Sequence, residues 1–190
     1  LARLWPAMSG TDAWIWIVGT AGLVTLVLGA YTAIFQHDLK GLLAYSTVSH
    51  LGLVTMLLGF GTPLAAVAAV FHILNHATFK ASLFMAAGII DHETGTRDMR
   101  RLGNLRRYLP WTSALAIVAS LAMAGIPLLN GFLSKEMMLH EAVDTTWLGN
   151  GWVVAALATL AACFSVAYSF RYIVHVFFGP RRDDYPPSHQ

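Results

Sequence analysis

Residues 64–90 read LAAVAAVFHILNHATFKASLFMAAGII, and this run of 27 residues contains a single charged side chain, Lys80. A helix needs about 20 predominantly apolar residues to cross the hydrocarbon core of a bilayer, so the run predicts a transmembrane helix. Two histidines, His72 and His76, lie in the same segment. The segment therefore points to a membrane protein and places three titratable groups at membrane depth.

Four further apolar runs are long enough to span a membrane, and none alternates as a barrel strand would. They are Trp14–Phe35, Leu39–Phe60, Trp111–Leu139 and Trp152–Phe178. Hydrophobic residues make up 56% of the 190-residue chain and charged residues 12%, against about 25% charged in soluble domains. This composition excludes a soluble enzyme domain, a disordered tail and a nucleic-acid-binding module. The sequence predicts an all-α polytopic membrane protein, a single bundle of five transmembrane helices over residues 1–190.

Arginine is concentrated on one predicted side of the membrane. The loop Asp91–Pro110 holds five arginines and the tail adds Arg181 and Arg182, whereas the opposite side carries only Arg3. Because cytoplasmic loops carry an excess of basic residues, the loop is predicted to be cytoplasmic and the first residues external. An arginine-rich loop could also bind nucleic acid, but between two membrane spans the orientation signal is the favoured interpretation.

The fourth run is too long for one simple span. From Trp111 to Leu139 it has 29 residues, or roughly 43 Å of continuous helix. The segment 125–131, GIPLLNG, lies midway, and proline removes a helix donor and clashes with the preceding turn. Because interrupted helices of this kind mark ion sites in transporters, we predict a break near residues 125–131. A simple proline kink is the alternative.

The lysines are distributed differently from the arginines. All three, Lys40, Lys80 and Lys135, lie in apolar runs, whereas eight of the nine arginines lie in loops or tails. Lysine can release its proton when it is desolvated, and arginine effectively cannot. Because ionisable residues inside membrane helices commonly serve as relays, the lysines predict proton or ion transfer. For Lys40 and Lys135, snorkelling of the side chain toward a span end is the alternative.

His72, His76 and Lys80 follow one another at intervals of four residues. They therefore share one helix face and rise about 6 Å per step. Histidine titrates nearest neutral pH, so bridging waters would let a proton move along this stripe. Histidines at i and i+4 are also a metal-ligand spacing. The stripe has no glutamate or apparent third ligand, and Lys80 would repel a cation, so no metal is predicted.

Other polar residues give weaker signals. His50 in the second run either continues the relay or packs in the core, and Glu136 could serve as the counter-ion of Lys135. Arg171 is interpreted as snorkelling at the end of the last run. The single cysteine, Cys163, gives no disulfide framework. The sequence has no phosphate-binding loop, nucleophile–base pair, haem or iron–sulfur pattern, so neither an enzyme nor a cofactor is predicted.

Three separated segments carry a recognisable signature: DLKGLLAYSTVS (residues 38–49), HILNHATFKASLF (residues 72–84) and GIPLLNGFLSKE (residues 125–136). They resemble, in the same order, motifs of the antiporter-like subunits shared by respiratory complex I and the Mrp-type multisubunit cation/proton antiporters. The resemblance extends over about residues 10–180. The loop DHETGTRD (residues 91–98) looks most like that of the largest subunit of the Mrp antiporters, the A type.

The resemblance implies a fold of two inverted five-helix repeats, each with one discontinuous helix, of which this chain looks like the second. It implies that Lys80 is the central relay lysine, with His72 and His76 as its histidines and Lys135 as the exit lysine. Lys40 matches a further lysine at the start of its helix. The channel lysine and glutamate of the first repeat have no counterpart here, so the chain is interpreted as a piece of a longer polypeptide.

The function implied is proton/cation translocation by a multisubunit monovalent cation (Na⁺)/H⁺ antiporter, through the buried lysine and histidine relay. The implied partners are other membrane subunits, lipid, protons and Na⁺, with no nucleic acid, in the bacterial inner membrane. Two alternatives stay open: a proton-pumping subunit of NADH:quinone oxidoreductase or a related hydrogenase, and a structural membrane module. A pure scaffold would not need a buried Lys80, which disfavours the last.

Overall fold

The computed structural model describes residues 1–147 and 151–180, and every regular element in these residues is a helix. The elements are α1 (Trp5–Met8), α2 (Asp12–Phe35, with a π-helical turn at Ile15–Gly19), α3 (Leu39–Phe60), α4 (Pro63–Thr94), α5 (Leu105–Tyr108), α6 (Pro110–Ala124), α7 (Asn130–Asp144) and α8 (Gly151–Ile173, continued by a π-helical turn over Val174–Phe178). Among these residues, four helices are long and apolar enough to cross a membrane: α2, α3, α4 and the helix over Trp152–Phe178. α6 is a shorter apolar helix.

Local signals in the sequence set the ends of α3 and α4. The Asp38 carboxylate accepts hydrogen bonds from the backbone N–H groups of Lys40 and Gly41 at 2.8 and 3.1 Å, which caps α3. α4 continues to Thr94, four residues beyond the apolar run that ends at Ile90. The polar residues there remain helical because the helix is terminated only by Gly95, whose φ of +69° suits glycine.

Glycines bring α2 and α3 into very close contact. A Cβ atom added to Gly22 would lie 2.2 Å from Met56 N, and one added to Gly52 would lie 2.4 Å from Leu26 N. Such distances leave no room for a side chain between the two backbones. Small residues allow this approach between membrane helices, where close packing replaces the hydrophobic effect as the driving force.

The predicted interruption of the fourth run is present, and it is a true break. α6 ends at Gly125 with φ +84°, Leu128 has φ +77°, and helical structure resumes only at Asn130. Residues 125–129 thus leave the helical conformation, which a simple proline kink would not do. A Cβ atom added to Gly131 would lie 1.8 Å from Ala122 O, so the start of α7 lies directly against the end of α6.

The arginine-rich loop is joined to the turn between α2 and α3. Leu39 N donates to Arg97 O at 3.0 Å, and Met99 N donates to His37 O at 2.9 Å. Arg171, at the end of α8, donates to Ile34 O at the end of α2, and a second guanidinium nitrogen lies 2.8 Å from His37 Nδ1. These contacts place the α2–α3 turn, the loop and the end of α8 at one end of the bundle. The arginines at positions 181 and 182 lie outside the described residues.

The loop also contains its own ion pair. Arg100 NH2 lies 2.7 Å from Asp98 Oδ2. Hydrogen bonds from this guanidinium lower the pKa of the Asp98 carboxyl to about 2. The carboxylate is therefore charged at neutral pH and offsets one of the five arginines of the loop.

The orientation in the membrane stays a prediction, and cysteine labelling tests it. We expect His92→Cys, placed beside the loop where the His92 side chain is 84% exposed, to react with an impermeant maleimide only from the cytoplasmic side. The exposed Thr11→Cys should react only from outside. Both variants require replacement of the exposed native Cys163 by alanine. Labelling of His92→Cys only from outside would reverse the assigned topology.

Candidate functional site

Lys80 is buried in the bundle with a side chain that is 5% exposed. Its ammonium donates to Leu43 O at 3.1 Å and to the hydroxyl of Ser46, both on α3. Within the described part of the chain, no carboxylate forms an ion pair with Lys80. A positive charge at this position is thus held only by neutral oxygens, which makes it costly in a low-dielectric interior.

Three histidines form a cluster one to two helical turns from Lys80. His50 Nδ1 of α3 lies 2.9 Å from His72 Nε2 of α4. The His76 ring centroid lies 5.3 Å from that of His50 and 6.1 Å from that of His72. The sequence left His50 undecided between relay and packing, and the structure puts it in direct contact with His72. In the part of the chain that the structure describes, these histidines and their neighbours are not arranged to hold a metal ion.

The cluster extends to two further helices. His72 Nδ1 lies 2.9 Å from Ser134 Oγ on α7, and Tyr168 Oη on α8 lies 3.4 Å from His50 Nε2. The start of α7 is held on α4 by hydrogen bonds between Asn75 and Asn130, at 3.2 and 3.3 Å. The site is therefore built from α3, α4, α7 and α8 together.

Lys135 is held by the broken helix. Its ammonium donates to Met123 O at 2.8 Å, to Ala124 O at 2.9 Å and to Ser165 Oγ at 2.9 Å. The last carbonyl groups of a helix lack intrahelical partners and form the negative end of the helix dipole. The break therefore creates a cation site in the middle of the bundle.

The three acceptors of Lys135 leave no N–H of its ammonium for Glu136. The structure thus gives Lys135 different partners from the counter-ion that the sequence suggested, since adjacent residues on a helix point apart. Glu136 is exposed and lines, with Lys135, a cavity of about 610 Å³ between α6, α7 and α8.

Comparison with known proteins decides the family. The sequence profile of the NADH:quinone oxidoreductase/Mrp antiporter transmembrane family matches residues 1–165. The chain belongs to this family. A probable K⁺/H⁺ antiporter protein of Rhizobium meliloti, of the A/B type, is 66% identical over 98% of the chain, and the A-type protein of a Na⁺/H⁺ antiporter of Alkalihalophilus pseudofirmus is 43% identical over 94%. The chain covers 19% and 25% of these relatives, so it spans about a fifth to a quarter of their length.

Solved structures of two membrane complexes share the fold of this Mrp/complex I family member. The structure of the Mrp complex from Dietzia sp. DQ12-45-1b matches 90% of the chain with a TM-score of 0.85 and 44% identity, and 19% of that chain is covered. A membrane-bound sulfane sulfur reductase, an archaeal respiratory membrane complex, matches 96% with a TM-score of 0.81 and 29% identity, covering 38% of its chain. The resemblance that the motifs indicated is confirmed.

Lys40 lies apart from the other predicted relay residues of this family member. Its ammonium pairs with Asp91 at 2.9 Å, and the two side chains are 40% and 34% exposed. The pair lies at the arginine-rich end of the bundle, beside the N-terminus of α3. The structure thus brings the three histidines and Lys80 together near Lys135, and it places Lys40 at the membrane edge.

Sequence reasoning missed three polar residues that the family member buries. Ser134 and Tyr168 contact the histidines, and Glu141 of α7 accepts a hydrogen bond from Thr62, the residue that caps α4. Ser134 directly precedes Lys135 in a quoted motif, which was a usable signal. Tyr168 and Glu141 lie in segments with no pattern that distinguishes them.

Proposed function

We propose that the chain forms part of the ion-translocating pathway of a multisubunit monovalent cation/proton antiporter. One observation carries this proposal: a hydrogen-bonded histidine cluster lies between two lysines in the interior of a membrane bundle, away from both ends. His50 and His72 are in contact, Lys80 is one turn from His76, and Lys135 follows Ser134, the partner of His72. Imidazole and amine groups at such short spacing can take up and release protons in sequence.

The two lysines suit this role because their partners are neutral. Lys80 and Lys135 donate only to backbone carbonyl and serine oxygens within the described residues. A fixed salt bridge would lock the charged form of each lysine, whereas neutral acceptors tolerate both the charged and the neutral amine. Lysine is also the cation that can give up its proton when it is buried.

We propose further that the helices form the second of two inverted five-helix repeats, with α6 and α7 as its discontinuous helix. The rest of the parent polypeptide would then supply the other half of the pathway. Other membrane subunits would complete the complex, as in the matched Mrp complex. The relatives are described as components of K⁺/H⁺ and Na⁺/H⁺ antiporters, so both cations belong in the test.

A redox-driven proton pump is the second candidate. The match to an archaeal respiratory membrane complex, with a TM-score of 0.81, supports it. The two functions differ in what drives them. An antiporter exchanges cations for protons down an imposed gradient without an electron donor, whereas a pump of the complex I type requires electron flow.

The proposal is tested with the full-length polypeptide assembled in its complex in inverted membrane vesicles. We expect Na⁺ or K⁺ to collapse an imposed pH gradient, monitored with a pH-sensitive dye, in the absence of an electron donor. Lys135→Ala should lower the rate at least about tenfold, because a positioned proton donor contributes about a hundredfold or more. Lys40→Arg, which keeps the exposed ion pair, is the control.

Three outcomes of this experiment contradict the proposal. A wild-type complex that collapses the gradient only when electrons flow would favour the redox pump. A complex that does neither would favour a structural module. Full exchange by an assembled Lys135→Ala complex would remove Lys135 from the pathway.

A further inference from the structure

The hydrogen bonds around the histidine cluster all run in one direction. The single hydroxyl proton of Ser134 is directed at Gly131 O, 3.2 Å away, so its oxygen accepts from His72 Nδ1. A neutral imidazole has one N–H, so His72 Nε2 accepts from His50 Nδ1. His50 Nε2 is then an acceptor, and the Tyr168 hydroxyl donates to it at 3.4 Å. Both tautomers follow from the serine.

This directed chain begins at Tyr168 and ends at Gly131, in the first turn after the helix break. Each member donates to the next, so the bonds polarise one another in the same sense. The acceptor side of the Tyr168 oxygen is the open end of the chain. A proton that arrives there can be passed on without any ring turning over.

A small cavity lies at this open end. Its volume is about 20 Å³, and its polar lining residues are Ser49, His50, Lys135, Ser165 and Tyr168. One water needs about 10–15 Å³ of such volume and two to four polar partners. The cavity meets both conditions, and it is the space that separates Lys135 from the histidine chain.

We infer that one water in this cavity joins Lys135 to Tyr168, and that Tyr168 passes protons between Lys135 and His50. The Lys135 ammonium gives a proton to the water, and the water gives one to the Tyr168 oxygen. Tyr168 gives its original proton to His50 Nε2 and ends neutral, while Lys135 ends as a neutral amine. The inference rests on the proposed proton pathway, to which it adds a residue and a water site.

The next turn of α8 provides a matched control. Tyr172 is as deeply buried as Tyr168, but its hydroxyl has no hydrogen-bond partner among the described residues. Replacement of either tyrosine by phenylalanine removes one oxygen and keeps the ring packing. The two variants therefore differ only in whether the lost hydroxyl belongs to the chain.

We expect Tyr168→Phe, in the assembled complex, to lower the maximal rate of cation-driven gradient collapse by about tenfold or more. The cation concentration that gives half the maximal rate should not change, because Tyr168 handles protons. Tyr172→Phe should match the wild type in both quantities. Ala161→Val, which places two methyl groups in the cavity wall, should lower the rate as Tyr168→Phe does.

A wild-type rate in assembled Tyr168→Phe would overturn the role of Tyr168, and a wild-type rate in assembled Ala161→Val would overturn the water link. An equal loss in Tyr172→Phe would show a general effect of hydroxyl removal on α8 and would also overturn the inference. These failures are distinct from failure of the proposed function. In that case, the wild-type complex itself would not exchange cations for protons.

Discussion

Replacement of Lys80 by arginine is expected to abolish cation exchange nearly as completely as replacement by alanine, with a loss of about a hundredfold. If Lys80 served only as a fixed positive charge, arginine would preserve that charge and most of the activity. If Lys80 must release and regain a proton in each cycle, arginine fails because it is effectively always protonated. The measurement is gradient-driven Na⁺ or K⁺ exchange in vesicles.

The surroundings of Lys80 sharpen this expectation. Its ammonium has two acceptors, Leu43 O and the Ser46 hydroxyl. A guanidinium carries five N–H donors, so most of them would stay unpaired in the same space. Arginine at this position would thus be both permanently charged and poorly satisfied. For this reason, assembly of each variant must be shown by co-purification of the other subunits before its rate is compared.

Lys40→Arg is the matched control for this substitution. Lys40 pairs with Asp91 at the exposed end of the bundle, and arginine can keep that pair. Ion pairs of this exposure contribute at most about 1 kcal/mol, so we expect near wild-type exchange. A Lys80→Arg complex that assembles and exchanges at the wild-type rate would show that Lys80 is not a proton carrier.

The fold was largely predictable because its determinants are local. Apolar length indicates a membrane helix by itself, and the glycine and proline of segment 125–131 indicate the break. The end of α4 was less accessible, because Asp91 and His92 look like loop residues. They remain helical since the capping glycine, Gly95, comes only afterwards.

The candidate site was predictable only in part, for a physical reason. His72, His76 and Lys80 lie on one helix, so their shared face follows from helix geometry alone. The contacts of Tyr168 and Ser134 depend on how α7 and α8 are rotated about their own axes against α3 and α4. Sequence spacing within one helix contains no information about that rotation.

The position of Lys135 depends on the geometry of the break as well. The sequence offered Glu136 as its partner because opposite charges were adjacent. The structure shows instead that the broken helix supplies two backbone carbonyls, at Met123 and Ala124. Backbone acceptors of this kind are invisible in a search for complementary side chains.

The contact between α2 and α3 fixes where His50 and the partners of Lys80 lie, because all of them belong to α3. Gly22 and Gly52 are at the centre of that contact, and each lies within about 2–3 Å of the opposite backbone once a Cβ atom is added. A methyl group at Gly22 would therefore press on the backbone at Met56, which cannot rotate away as a flexible side chain could. The two helices would have to separate by more than about 1 Å, and small gaps already forfeit much of the dispersion energy.

We expect Gly22→Ala to remove most of the assembled complex and, with it, the exchange activity. Overpacking of a tight interface costs about 1–3 kcal/mol or more, which exceeds the gain of up to about 1 kcal/mol from replacing glycine by alanine within a helix. Gly88→Ala on α4 is the control, since a Cβ atom there meets no atom within 4 Å, and it should assemble at least as well as the wild type. Thermal stability of the purified complex by fluorescence-detected size-exclusion chromatography gives the comparison. A Gly22→Ala complex as abundant and as stable as Gly88→Ala would show that the close approach of α2 and α3 does not determine the stability of the bundle.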